Sequence, residues 1–206
     1  MERQEAVRKL GMLCGQDLVM LAPQYGIRIW KDHGKKNKGW AGHVLERYLG
    51  LPLNTAQAPN FGSWELKVVP VRHMPCGKFA LKETMAITMI DPVHVAQTPF
   101  ERSHLLAKLK KAVICARVFE AQSEPASILL RVATFDLGNA ESYEQVKADY
   151  ELVRRTIKTD GFNALTGAMG ILVQPRTKGP GHGSTTRAFY ARKNFVERML
   201  GMREAG

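Results

Sequence analysis

Four runs of apolar and β-branched residues constrain this chain more than any other feature: Ser63–Val71, Thr84–Ile90, Ala112–Phe119 and Ile128–Phe135. Each has the length of a strand and the side chains that pack on a pleated surface. Helical text surrounds them. Glu2–Leu21 predicts a helix with Val7, Leu10, Leu13, Cys14, Leu18 and Leu21 on one stripe, and Trp40–Leu49 predicts a short helix ended by Gly50. Thr98-Pro99-Phe100-Glu101 reads as a helix start with Pro at the first helical position, running on through Leu105, Leu106 and Leu109. Ser142 with Gln145 reads as the cap of a long helix ending near Ile157. Ile171–Pro175 and Arg187–Ala191 predict two short strands, and Asn194–Met202 a last helix. Leu51–Gly62, His73–Gly77 and Lys178–Ser184 are rich in Gly, Pro and polar residues and predict connections. With no internal repeat and no long linker, the expectation is one α/β (α+β) domain over residues 1–206.

Such a fold does not require the charge this chain carries. Thirty Lys and Arg stand against 19 Asp and Glu, a formal net charge of +11. The excess points to a polyanion: DNA, RNA or an acidic membrane surface. It is concentrated in three places. Lys31, Lys35, Lys36 and Lys38 crowd one loop beside Asp32; Arg102, Lys108, Lys110, Lys111 and Arg117 lie between 101 and 117; Arg176, Lys178, Arg187, Arg192, Lys193, Arg198 and Arg203 follow Ile171 against two acids, Glu197 and Glu204. Three converging basic clusters make a surface that tracks a phosphate backbone. No apolar run reaches the ~20 residues of a membrane span, and Met1–Lys9 is charged, unlike a signal peptide. The expectation is a cytoplasmic protein with no membrane partner. Cys14, Cys76 and Cys115 have unrelated spacings, which fits a reducing compartment.

Chemistry concentrates at Glu65-Leu66-Lys67. Period two puts Trp64, Leu66 and Val68 on one face of the strand and Glu65, Lys67 and Val69 on the other, aiming a carboxylate and an ammonium at one point. Metal-assisted phosphodiester hydrolysis needs carboxylates to hold Mg²⁺ and a cation near the attacking water. A plain salt bridge along the strand accounts for the same pair.

The surrounding text resembles the MutH family of DNA endonucleases, within the restriction-endonuclease-like nucleases. Lys38-Gly-Trp-Ala-Gly-His-Val-Leu-Glu-Arg-Tyr-Leu-Gly50, Ala58-Pro-Asn-Phe-Gly-Ser-Trp-Glu-Leu-Lys-Val-Val-Pro70, Glu101–Lys111 and Arg187–Phe195 are similar, in order, to four motifs of that family. The resemblance implies a central mixed β-sheet flanked by helices. DNA would lie in a cleft between a catalytic half, about 1–120, and a recognition half, about 121–206. It implies a catalytic set of Glu46, Asn60, Glu65, Lys67 and Lys108, with Asn60, Glu65 and the Leu66 carbonyl on Mg²⁺. Lys67 would orient or deprotonate the attacking water. One departure stands out: the family carries Asp where this chain has Asn60. The spacing from Asn60 to Glu65 is similar to that of monomeric restriction enzymes of the MvaI type. Asn keeps the shape and loses the charge, so metal affinity and activation should fall. An ordinary loop Asn capping a turn is the structural alternative.

With a double-stranded DNA partner implied by the resemblance, the basic and Gly-rich loops offer contacts from Lys35, Lys36, Lys38, Arg176, Lys178, His182 and Arg187, and the resemblance adds Tyr190 and its neighbour Lys193. In the Gly-rich stretch Gln174–Arg187, Arg or His side chains reach a base edge or touch phosphates only. Trp30, Trp40 and Trp64 read as core anchors. The reading is a site-specific, Mg²⁺-dependent endonuclease acting as a monomer, weakened or inactivated by Asn60. A MutL-like activator is compatible and not indicated. Two rivals stay open: a duplex-DNA-binding protein without catalysis, and a basic RNA-binding protein.

Overall fold

The strand runs pair as their alternating patterns require, and the pairing makes two sheets. The computed structural model describes residues 1–51, 62–179 and 186–202. A four-stranded mixed sheet has the order β2 (Phe79–Leu81), β1 (Glu65–His73), β4 (Lys111–Val118), β5 (Leu129–Asp136). β1 and β4 run parallel and their outer neighbours antiparallel. A three-stranded antiparallel sheet has the order β3 (Met85–Ile90), β7 (Arg187–Ala191), β6 (Val173–Thr177). The mixed sheet is the expected one; the second takes strands from both sides of residue 120, as does the first.

The helices are α1 (Arg3–Gly11), α2 (Leu18–Leu21), α3 (Trp40–Tyr48), α4 (Pro92–Gln97), α5 (His104–Leu109), α6 (Ala140–Thr159) and α7 (Lys193–Met199). Each face of the mixed sheet buries its own core. Leu66, Val113, Cys115 and Leu129 pack with Trp64 against the apolar stripes of α1, α2 and α3. Val69, Val71, Ala112, Ile114 and Ala116 pack on the other face, with α5, α6, α7 and the second sheet. This is the two-sided division that period two predicts for β1. Trp40 and Trp64 are fully buried, whereas Trp30 is 43% exposed and anchors no core, a correction to its reading above.

Local caps move several boundaries. The helix expected over Glu2–Leu21 breaks after Gly11, because Asp17 caps a new helix by accepting from the Val19 N–H at 2.9 Å. The same Asp17 oxygen accepts from the Ser127 N–H, tying this corner to the start of β5. Thr98–Glu101 opens only a one-turn 3-10 helix, Phe100–Arg102, and α5 starts anew where Ser103 caps it, accepting from the Leu106 N–H at 3.1 Å. Asp91-Pro92 starts α4 in a stretch with no helix expected, its carboxylate accepting from the Val93 and His94 N–H groups. α6 begins three residues earlier than expected, since Asn139, accepting from the Ser142 N–H, is its cap. β2, three residues long, gave no signal. Among the described residues no helix is long and apolar enough to cross a membrane.

Asp149 on α6 holds the approach to β6. It is buried and accepts from the N–H groups of Ile171, Leu172 and Val173, each at 2.8 Å. Gly170 sits at φ +74°, where an added Cβ would lie 1.9 Å from the Val173 carbonyl oxygen. Asp149→Ala strands these donors and is expected to cost about 3 kcal/mol or more in urea unfolding. A loss below ~1 kcal/mol would show that water satisfies them.

Candidate active site

β1 delivers Glu65 and Lys67 to the face that looks toward the second sheet. Glu65 is 1% exposed, so its charge needs partners. Lys67 Nζ lies 2.9 Å from Glu65 Oε1 and Lys108 Nζ lies 3.1 Å from the same oxygen. Lys108 comes from α5, where the Ser103 cap and the buried Leu105 and Leu109 fix the helix and leave its ammonium toward Glu65. Lys67 also donates to the Ile87 carbonyl at 3.2 Å. The β3–β7 register skips Ile87, from Ala86 to Thr88, so a bulge turns that carbonyl to the site.

Burial pushes the Lys67 ammonium below the ordinary lysine range. The Glu65 carboxylate pulls it back, and the charges of Lys108 and Lys178 lower it further. The pair is thus more than a surface salt bridge: a desolvated amine held between a carboxylate and a carbonyl.

Beyond Lys67 the two sheets part around a cavity of about 460 Å³, bordered by Lys38, Glu83, Thr84, Arg176 and Tyr190. Arg176 donates to Thr84 Oγ1 at 3.0 Å, with its guanidinium 5.8 Å from the Tyr190 ring centre. Burial raises the Tyr190 phenol above its ordinary value; Arg176 opposes this and Glu83 adds to it.

The other sequence candidates are dispersed. Glu46 is buried on α3, which packs against the Leu66 side of β1, the face opposite Glu65 and Lys67. Lys178 is exposed beyond the end of β6, near enough for its charge to act on Lys67, whereas Lys35 and Lys193 are exposed on their loop and at the start of α7. Lys36 is drawn inward, 2.6 Å from Glu124. Arg187 donates to the carbonyls of Leu165 and Asn163 and lies over Phe162. Asn60 and His182 lie outside the described residues. Glu83, Thr84, the Ile87 carbonyl and Glu124 are site or near-site groups that no motif marked.

Among the described residues, no three His, Cys, Asp or Glu side chains converge on a point that could hold a metal ion. The donors that the resemblance assigns, Glu65, the Leu66 carbonyl and Asn60, are all oxygens, the right kind for Mg²⁺. Glu65 alone is anionic, so the set fits a hard cation in kind and is one charge short.

Residues 49–149 match the family described as DNA mismatch repair enzyme MutH. The chain is 26% identical over 212 residues to the MutH protein of Actinobacillus pleuropneumoniae serotype 5b, covering 95% of this chain and 92% of that one. It is 25% identical to MutH of Vibrio cholerae, covering 92% and 84%. It is 24% identical to the type II restriction enzyme Sau3AI of Staphylococcus aureus over 76% of this chain and 33% of that enzyme. A solved complex of restriction endonuclease MvaI with its cognate DNA aligns over 97% of both chains at 12% identity and a TM-score of 0.38. The family and sequence matches support a nuclease of the restriction-endonuclease-like class. Within that class the chain is MutH-like.

Glu65→Gln would leave two ammonium groups around a neutral amide. Removing one partner from a buried ion cluster costs about 3–5 kcal/mol, the loss expected at pH 7 in urea unfolding. Lys67 binds its proton less well folded than unfolded, so the variant should recover stability as pH rises through the lowered Lys67 pKa. An unchanged urea midpoint would show that Glu65 does not hold the lysines.

Proposed function

We propose that this chain is a site-specific, Mg²⁺-dependent double-stranded DNA endonuclease whose activity is weakened by Asn60. The observation that carries the reading is the buried Glu65–Lys67–Lys108 cluster opening onto a cleft bordered by Lys38, Arg176 and Tyr190. The relatives named for MutH and for a restriction enzyme support it. Glu65, Asn60 and the Leu66 carbonyl would hold Mg²⁺, which when bound stabilises charge on the phosphate and the leaving oxygen.

The chain's own groups do the rest. Lys67, depressed by burial, reaches its neutral form at a lower pH than a free lysine and takes a proton from water or orients it for in-line attack. Glu65 and the Ile87 carbonyl fix where that amine points. Lys108 brings a second ammonium to the phosphate, and Glu46, which the resemblance assigns, would support the site only from behind β1, since α3 packs on the opposite face. Lys38, Lys178, Arg176 and Tyr190 border the DNA path, with Lys35 and Lys193 on more distant backbone. A single active site per chain makes a nick the natural unit of work, done by a monomer of prokaryotic or phage origin in the cytoplasm, at the nucleoid. The second reading, a duplex-binding protein without catalysis, draws on one observation: the site's acid is already neutralised by two lysines and its expected partner is Asn60.

Supercoiled plasmid with Mg²⁺ separates the readings. Asn60→Asp is expected to cut at defined sites faster than the original chain, by at least the roughly 10–100-fold that outer-shell changes around a metal already cost. Cutting in neither, with tight duplex binding in both, supports the non-catalytic reading; preference for RNA overturns both. In the Asn60→Asp background the rate should rise with pH, with an inflection below the ordinary lysine range. Lys67→Arg should lose that limb.

A further inference from the structure

Charge alone makes Lys36 and Lys38 equivalent: two lysines two residues apart in one basic loop. The structure separates them. Lys36 Nζ lies 2.6 Å from Glu124 Oε1 and donates to the Gln122 carbonyl, 5.5 Å from the Trp30 and Phe119 ring centres. The Glu124 side chain has no exposed surface. Both Glu124 oxygens are held by the Arg117 guanidinium, at 2.8 and 3.0 Å. Arg117 in turn donates to Ser127 Oγ and lies 5.1 Å from the Trp40 ring. Glu124 stands at φ +50°, a backbone region costly for a residue with a side chain, so the surrounding bonds must hold it there.

This cluster fixes the loop from one end. Trp30 bridges to Lys36, the Lys31 N–H donates to the Lys35 carbonyl, and the Asn37 N–H donates to the Ile29 carbonyl. The Trp40 N–H donates to the Asn37 carbonyl and starts α3. Lys38 is left between the Lys36 anchor and α3. Its exposed side chain borders both the cavity that holds Lys67 and the adjoining one that holds Arg117 and Lys82.

We propose that Glu124 and Lys36 are positioning residues, which hold the loop so that Lys38 meets a backbone phosphate beside Lys67. Lys36 itself touches no phosphate. This rests on the DNA reading above.

Salt-dependent binding of a duplex to the full chain tests it as a double-mutant cycle. One lost phosphate contact lowers the slope of log K against log salt by about 0.9. Lys38→Gln is expected to lose about 0.9. Lys36→Met, which leaves Glu124 on Arg117, is expected to lose the same, and the double variant no more than either single. Lys36→Arg, still able to reach Glu124, should restore the slope. A loss of about 1.8 in the double variant would show that Lys36 has its own phosphate and overturn the proposal. An unchanged slope in Lys36→Met, or no rescue by Arg, would overturn it too. A wild-type chain that binds no duplex would instead overturn the DNA reading, and this inference with it. Melting of each variant alongside shows that the compared chains are folded.

Discussion

One buried carboxylate organises the centre of this molecule. Glu65 lies where the mixed sheet faces the antiparallel sheet, and its charge is met by one lysine from its own strand and one from α5. Removed from water, a carboxylate is tolerated only with such partners. The constraint explains why α5 is capped and packed so as to aim Lys108 inward. It also explains why the bulge in β3 matters, since Ile87 gives Lys67 a second acceptor on the opposite sheet. The cleft opens where these contacts end.

The same solution recurs at Glu124, a buried carboxylate between Arg117 and Lys36. In a chain with 30 basic residues, the buried acids serve to orient cations rather than to balance charge. Asp149 does comparable work for backbone donors at the entry to β6. Two cations that no such acid draws inward lie near the cleft, where a phosphate backbone can use them: Lys38 on its border and Lys178 close enough to act on Lys67.

Strands were legible because period two is a local property: the two faces of β1 divide as Trp64, Leu66, Val68 and Glu65, Lys67, Val69 predict. The division into two sheets was not, because β3 finds β7 across about half of the sequence and no local pattern encodes that partner. Caps shifted boundaries where two candidates competed, as Asn139 did over Ser142 and Ser103 over Thr98. In the site, the Glu65–Lys67 spacing was readable from the strand period, and Lys108 came only through the family resemblance. Lys36 and Arg187 show the limit of reading charge: whether a cation meets a phosphate, a distant carboxylate or backbone carbonyls depends on tertiary contacts.

The central claim is that the Glu65–Lys67–Lys108 cluster is where a phosphodiester bond is broken. Sequencing the ends made in a mixed DNA pool by an Asn60→Asp chain, with and without Lys67→Met, tests it most directly. The expected result is ends gathered at one short sequence, vanishing in the Lys67→Met form while duplex binding persists. Ends that survive without Lys67, or the absence of ends in both forms, would contradict it.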